Sequence, residues 1–273
     1  MMLRIGQIEY SNCTPLYHLL REQFDCGGYE FVSGVPAELN ALLATGQIDV
    51  CPSSSIEYAL HPERYRILPQ LSISSNGAVA SVLLFSRIPI EELHGQTIKL
   101  SSESATSVNL LKILMVQRYN CACSYTVNSQ KTADALDSSP ALLLIGDAAL
   151  RASMTGTSMF VYDLGSIWRD WTGLPFVFAL WLCRNEVAAD PHLVELFYRL
   201  IEAKRLAPLH HERILRYAHE ASWMPRERLL KYWRDNISYN LEEESVAGLM
   251  TFYEKCYELE LIKSVPILNF TAI

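Results

Sequence analysis

The sequence has no Cys-x-x-Cys pair, and its seven cysteines, at 13, 26, 51, 121, 123, 183 and 256, form an odd set without the Cys/His spacing of a zinc site. Free thiols in a reducing compartment are the simplest reading. Basic runs are missing too. Lys and Arg number 23 against 30 Asp and Glu, a formal net charge of −7, and nothing resembles the cationic footprint that phosphate backbones require. A nucleic-acid partner is therefore not expected. The longest apolar run, 175–183, falls well short of the ~20 residues that a bilayer span needs, which argues against a membrane role. The start of the chain runs directly into a strand-like segment at 3–9, with no basic region, apolar stretch or small-residue cleavage site of an export signal, so a cytoplasmic protein is expected. There is no GxSxG, HExxH, GxGxxG or P-loop, no internal repeat and no low-complexity segment. The histidines (18, 61, 94, 192, 210, 211 and 219) mostly lie on predicted helices or turns away from the serine-rich turns, which argues against a Ser-His triad. No metal and no cofactor is called for.

What is present is hydroxyls. Ser101, Ser102, Ser104, Thr106 and Ser107 crowd a turn between a strand-like run, 96–100, and a helix-like run, 108–119. A helix start leaves backbone N–H groups without internal partners and carries partial positive charge, so such a turn can hold an anion. Any one of these side chains can be an ordinary N-cap, but together they exceed what capping requires. The same device recurs at Ser53, Ser54 and Ser55, after the strand-like 48–51 and before a helical 56–60. A small ligand with more than one carboxylate is expected. Repulsion from the acidic surface is screened beyond about 8 Å at physiological salt, whereas each charge-assisted hydrogen bond in a cleft contributes roughly 1.5–3 kcal/mol.

With 50% apolar and 19% charged residues, 273 residues suit a globular α/β protein of one large domain or two lobes. Apolar periodicity predicts strand 3–9, a helix facing inward through Leu16, Leu19, Leu20 and Phe24, strand 29–33, a helix begun by Pro36, and strand 48–51. That order implies a mostly parallel sheet with ligands at its strands' carboxyl ends. Strands at 66–75 and 78–86, joined at Asn76-Gly77, precede a second α/β series: strand 96–100, helix 105–119, strand 124–128, helix 130–137, strand 141–146, helix 147–153 and strand 159–163. The doubly apolar strand 176–183 reads as a return into the first lobe. The expected architecture is α/β with two mixed, mainly parallel sheets. Lobe I comprises 1–86 and 178–273, lobe II comprises 87–177, and the ligand cleft lies at a hinge of two crossing strands near 83–87 and 176–180. The tail reads as helices 192–205, 209–221, 226–237 and 242–261, with breaks at Pro208, Pro225 and a turn at 236–240, and with His210-His211 on a solvated face.

Polar residues at predicted strand ends are Asn12, Ser53 to Ser55, Ser75, Ser81, Asp147 and Asp163. Asp147 is the best-placed carboxylate, with an N-cap of the next helix as its alternative role. Several stretches in combination resemble the MqnA family, the chorismate dehydratases of the futalosine route to menaquinone. They are Arg4 to Asn12 with Pro15-Leu16, Gly34-Val35-Pro36, Gly46 to Val50 with Ser53 to Tyr58, Leu71 to Gly77, Ser81 to Ser86, Ser101 to Leu111, Ile145-Gly146-Asp147, Tyr162-Asp163-Leu164 and Trp171 to Ala179. No single piece is specific; their order over 4–180 is.

The resemblance implies a two-lobed fold like that of type II periplasmic binding proteins and a hydro-lyase that converts chorismate to 3-[(1-carboxyvinyl)oxy]benzoate and water. Chorismate carries two carboxylates, in agreement with the two hydroxyl-rich turns. On that substrate the two turns are expected to bind one carboxylate through Ser104, Ala105, Thr106 and Ser107 and to bind or orient the other through Ser54 and Ser55, with Gly146 also a binding residue; the roles that follow come from the resemblance. Asn12 and Ser81 would flank the reacting carbons, Asp147 would participate, and the substrate's own enolpyruvyl carboxylate is an alternative base. The expected partner is this small dicarboxylate, with the chain a monomer or a homodimer. Two rivals share the architecture: the MqnD-type 1,4-dihydroxy-6-naphthoate synthase, for which a catalytic His is expected in the region of Asp147, and a non-enzymatic binding protein for a small dicarboxylate.

Overall fold

The computed structural model describes residues 2–128, 139–156 and 158–273, and the helix expected over 130–137 lies outside the described residues. β1 (Leu3–Ile8), α1 (Thr14–Gln23), β2 (Tyr29–Gly34), α2 (Pro36–Ala44) and β3 (Val50–Ser54) form the predicted βαβαβ unit, with β1 parallel to both β2 and β3. Leu16, Leu19 and Leu20 of α1 and Leu39 and Leu43 of α2 are buried, as their spacing requires. α3 (Ser55–Leu60) leads to β4 (Tyr65–Ser75).

After β4 the chain leaves this sheet for a second one, built from β5 (Val82–Ser86), β6 (Thr97–Leu100), α4 (Ala105–Ile113, prolonged by a π turn over Leu114–Arg118), β7 (Ser124–Val127), β8 (Ala141–Ile145), α5 (Gly146–Ala152), β9 (Phe160–Asp163) and α6 (Leu164–Thr172). β10 (Phe176–Arg184) returns to the first sheet. With β11 (Ser238–Leu241) from the C-terminal part, the first sheet has the order β11-β4-β10-β3-β1-β2, and the second β7-β6-β8-β5-β9. Both are mixed. Among the described strands, parallel pairing joins β2-β1-β3 and β7-β6-β8, while β10, β4 and β11 in one sheet and β5 and β9 in the other pair antiparallel. Parallel pairs thus form a smaller share than the βαβ pattern implied, because the strands that leave and re-enter each sheet run against the rest.

The links between sheets are residues 76–81 and 173–175. β5 lies wholly in the second sheet and Phe176 begins in the first, so the boundaries expected at 86/87 and 177/178 belong in these links. Asn76-Gly77 is not a hairpin turn. The backbone N–H groups of Val79 and Ala80 find no ladder and donate instead to the Asp163 carboxylate, at 3.1 and 2.6 Å. The same carboxylate caps α6 by accepting from Ser166 N–H at 3.0 Å. Asp163 thereby ties the outgoing link to the second sheet.

The C-terminal part differs most from expectation. α7 (Pro191–Ile214) is continuous, with Pro208 inside it exposed while Ala203, Ala207 and His211 are buried. Packing of these buried residues outweighs the roughly 3 kcal/mol cost of an interior proline. Beyond α8 (Arg226–Lys231), whose π turn runs over Tyr232–Asn236, the expected turn at 236–240 is an edge strand, β11 (Ser238–Leu241), and α9 (Glu243–Glu258) follows. Among the described residues no helix is long and apolar enough to cross a membrane.

His211 is not on a solvated face: it is 3% exposed and packs at 5.6 Å from the ring of Trp233, with Nδ1 unpaired. Burial, aided by Arg234 and opposed by Glu212, lowers its pKa from 6.5 to about 4. A depressed histidine is neutral in the fold and takes up a proton on unfolding, so it stabilises above pH 6.5 and loses that contribution as pH falls towards 4. Between pH 7 and pH 4.5 this amounts to about 2 kcal/mol. Urea titrations at both pH values should show that slope reduced in His211→Gln; an unchanged slope would refute the assignment.

Candidate active site between the two sheets

At the carboxyl ends of β1 and β3, facing the second sheet, lies a cavity lined by Ile8, Tyr10, Asn12, Pro36, Ser54 and Ile73 from one side and by Val79, Ser81, Val82, Ser104, Ser107, Ile145 and Gly146 from the other, with Phe178 and Ala179 of β10 as its floor. It holds about 510 Å³ of space free of protein atoms. None of these lining side chains is charged at neutral pH.

Six of the sequence-predicted residues meet here: Asn12, Ser54, Ser81, Ser104, Ser107 and Gly146. Ser104 is the N-cap of α4, accepting from Ser107 N–H at 3.4 Å, and the two hydroxyls lie 3.1 Å apart. Ser54 is the N-cap of α3 and makes no side-chain cap bond, which leaves its hydroxyl for the cavity. The starts of α3 and α4 thus open on one space, as the two hydroxyl-rich turns implied.

Ser55, Ala105, Thr106 and Asp147 do not line the cavity. Ser55 and Thr106 are buried and turned towards each other. Ser55 Oγ donates to Val177 O at 2.8 Å and sits 3.3 Å from Thr106 Oγ1, which accepts Ile56 N–H at 3.2 Å. Their hydroxyls join the starts of α3 and α4, one from each half, rather than facing a ligand. Ser53 turns away too, towards Cys51 Sγ at 3.1 Å.

Asn12 sits on a loop whose backbone is held at several points, although the neighbouring Ser11 hydroxyl is buried without a partner. Cys13 N–H donates to Tyr10 O at 2.9 Å, Ser11 N–H to Asp147 Oδ1 at 2.9 Å, Trp233 Nε1–H to Ser11 O at 2.8 Å, and the Tyr239 hydroxyl to Asn12 O at 2.7 Å. Tyr10 lies across the cavity and donates its hydroxyl to Glu103 Oε2 at 2.7 Å, linking the two halves. Burial and the Glu103 carboxylate push the Tyr10 pKa far up, so the phenol keeps its proton. Against these clamped neighbours, Asn12 Oδ1 is buried and has no partner. An unpaired buried acceptor costs about 1–3 kcal/mol, a cost commonly found where a ligand completes the bond.

Opposite, Ser81 Oγ accepts from the Tyr232 hydroxyl at 2.9 Å and lies 3.3 Å from Val79 O, to which it donates. Its carbonyl accepts Gly146 N–H at 2.8 Å. Gly146 takes a φ of 56°, and a Cβ there would stand 2.9 Å from the Tyr10 ring. This position therefore needs glycine for two separate reasons. Burial raises the Asp147 pKa and nearby Glu220 adds to the rise, while bonds from Ser11 oppose it.

Sequence reasoning did not single out Tyr10, Glu103, Tyr232 or Phe178. Tyr10 was within reach, since it immediately precedes Asn12 at a strand end. The Tyr232 contact joins residues separated by 151 positions and leaves no local signal.

A family model described as menaquinone biosynthesis matches residues 3–258. A chorismate dehydratase of Thermus thermophilus is 33% identical over 270 residues, covering 92% of this chain and 93% of the relative. One from Campylobacter jejuni is 28% identical over 261 residues, covering 94% and 98%. Among solved structures, an Archaeoglobus fulgidus protein superposes with a TM-score of 0.78 at 20% identity, over 96% of this chain and 98% of that one. The periplasmic aliphatic sulphonate binding protein of Escherichia coli does so with 0.68 at 16% identity, over 97% and 89%. Those structural likenesses establish the fold, that of periplasmic binding proteins.

Proposed function

The chain belongs to the menaquinone-biosynthesis family, and from that premise we propose that it is a chorismate dehydratase, a hydro-lyase converting chorismate to 3-[(1-carboxyvinyl)oxy]benzoate and water. The observation that carries the reading is a cavity with an uncharged lining onto which two helix starts open, the arrangement a dicarboxylate needs where no cationic side chain meets it. Hydroxyls of Ser104 and Ser107 with the α4 N–H groups hold one carboxylate, and Ser54 with the start of α3 orients the other.

The ring proton to be lost is vinylogously acidic through the ring carboxylate. Donors at that carboxylate draw charge into it, and departure of the hydroxyl gives an aromatic ring. Such a reaction is served by positioning and by fixed dipoles. Asn12 and Ser81 flank the reacting carbons from opposite walls. Neither an amide nor a serine hydroxyl is a base at neutral pH, and Tyr10 is held protonated. The proton acceptor this lining supports is the substrate's enolpyruvyl carboxylate. The seven cysteines are unpaired, in keeping with a cytoplasmic enzyme, and the partner is the small-molecule substrate.

A non-enzymatic binding protein is the second reading, favoured by the likeness to the sulphonate-binding fold. Purified protein mixed with chorismate separates the two. A new aromatic product, followed by ultraviolet absorbance and chromatography, is the expected result. Binding without product would favour the receptor, and absence of binding would refute both.

A further inference from the structure

We propose that Asp147 is a positioning residue, through which the placing of Asn12 depends on the second half of the molecule closing on the first. The inference rests on the dehydratase reading and deepens it.

Asp147 has neither of the roles its sequence position suggests. It is not the helix cap: α5 begins after Ile145 as N-cap, without a side-chain cap bond. It does not line the cavity either. Its Oδ1 instead crosses from α5, on the second sheet, to accept Ser11 N–H at 2.9 Å in the loop after β1 of the first.

The other holds on this loop divide by origin. Trp233 and Tyr239 grip the carbonyls of Ser11 and Asn12, and Glu220, fully buried, accepts the Thr14 hydroxyl. These three come from the C-terminal segment, and Tyr239 lies in the first sheet itself. Asp147, with Glu103 at the Tyr10 hydroxyl, comes from the second half. Ser11 N–H is thus the backbone donor beside Asn12 that is satisfied only while the halves are close. If they part, the peptide preceding Asn12 loses its acceptor, and the Asn12 side chain, which lines the cavity, loses its placement. A displacement of about 1 Å at such a group can cost about a hundredfold in rate.

An amide oxygen can accept the same bond as a carboxylate oxygen, so Asp147→Asn keeps the strut and removes the base. Expected for Asp147→Ala is a kcat about ten- to a hundredfold lower with KM changed less than about threefold. Asp147→Asn should retain at least about a third of wild-type kcat, with a kcat–pH profile of unchanged shape. An Asp147→Asn variant as inactive as Asp147→Ala, or one that loses an acidic limb present in the wild type, would make Asp147 the base and overturn the proposal. So would an Asp147→Ala variant with unaltered kcat. Should Asp147→Ala fail to fold, the Asn variant still decides. Wild-type protein that forms no product from chorismate would refute the dehydratase reading itself, before either variant is measured.

Discussion

Asn12→Ala should all but abolish turnover while leaving the fold as stable as before or slightly more so. The backbone of this residue is anchored by the Tyr239 hydroxyl on its carbonyl, and that bond survives any side chain. The side-chain oxygen, by contrast, is buried without a partner. Removing it breaks no bond within the protein and relieves a desolvated acceptor, a gain of up to about 1 kcal/mol. Function moves the other way. On the proposal that Asn12 faces the reacting carbons, loss of one fixed polar group there typically costs about 10²–10³ in kcat. The pairing of unimpaired or raised stability with lost activity marks a side chain kept for the ligand rather than for the fold. Thermal unfolding and steady-state rates on one preparation check it. Unchanged kcat would remove Asn12 from the chemistry, and marked destabilisation would show that its amide has a structural partner.

The same contrast explains which parts of the site were legible in the sequence. Asn12, Ser54, Ser81, Ser104 and Ser107 lie at strand ends and helix starts, positions that period-2 and period-3.6 patterns disclose, so their convergence on one cavity followed from topology. What happens to a hydroxyl after it arrives is decided by partners far along the chain. Ser55 and Thr106 belong to the same turns as Ser54 and Ser107, yet they bond each other across the halves, and only the meeting of α3 with α4 determines which serine of a cluster faces inward. Asp147 reads locally as a cap because a carboxylate near a helix start is stabilised there whatever else it does. Its bond to Ser11 spans 136 residues.

In the fold the misreadings share a similar cause. Asn76-Gly77 has hairpin chemistry, but Asp163 supplies from 83 and 84 residues away the acceptors that a hairpin ladder would have given to Ala80 and Val79. Pro208 breaks a helix only when nothing else holds it, and the buried face of α7 does. His211 looked solvated beside exposed Glu212 and Leu209, because adjacent residues on a helix point in different directions.

Gly248→Ala should be strongly destabilising, although alanine in place of glycine inside an exposed helix normally stabilises by about 1 kcal/mol. Gly248 lies in the middle of α9, where the helix presses on the returning link at 173–175. A Cβ there would stand 2.0 Å from Pro175 O and 3.2 Å from Pro175 C. The obstacle is backbone, and it has little freedom to retreat. Gly173 on one side is fixed in a left-handed conformation (φ 72°) that closes α6, and Phe176 on the other is paired with Ser75 in the first sheet. Pro175 O also accepts from the buried Trp168 indole at 3.2 Å. Either α9 moves off the sheet, exposing part of Phe252 and Tyr253, or the link shifts and breaks the Trp168 bond. Overpacking of this kind costs about 1–3 kcal/mol, and the threatened indole bond adds about 1 kcal/mol. A loss of about 3 kcal/mol in urea unfolding is therefore expected. Because the same link sets how the second half approaches Asn12, kcat should fall as well. A Gly248→Ala protein as stable as the parent would show that α9 and the link are not in the contact described.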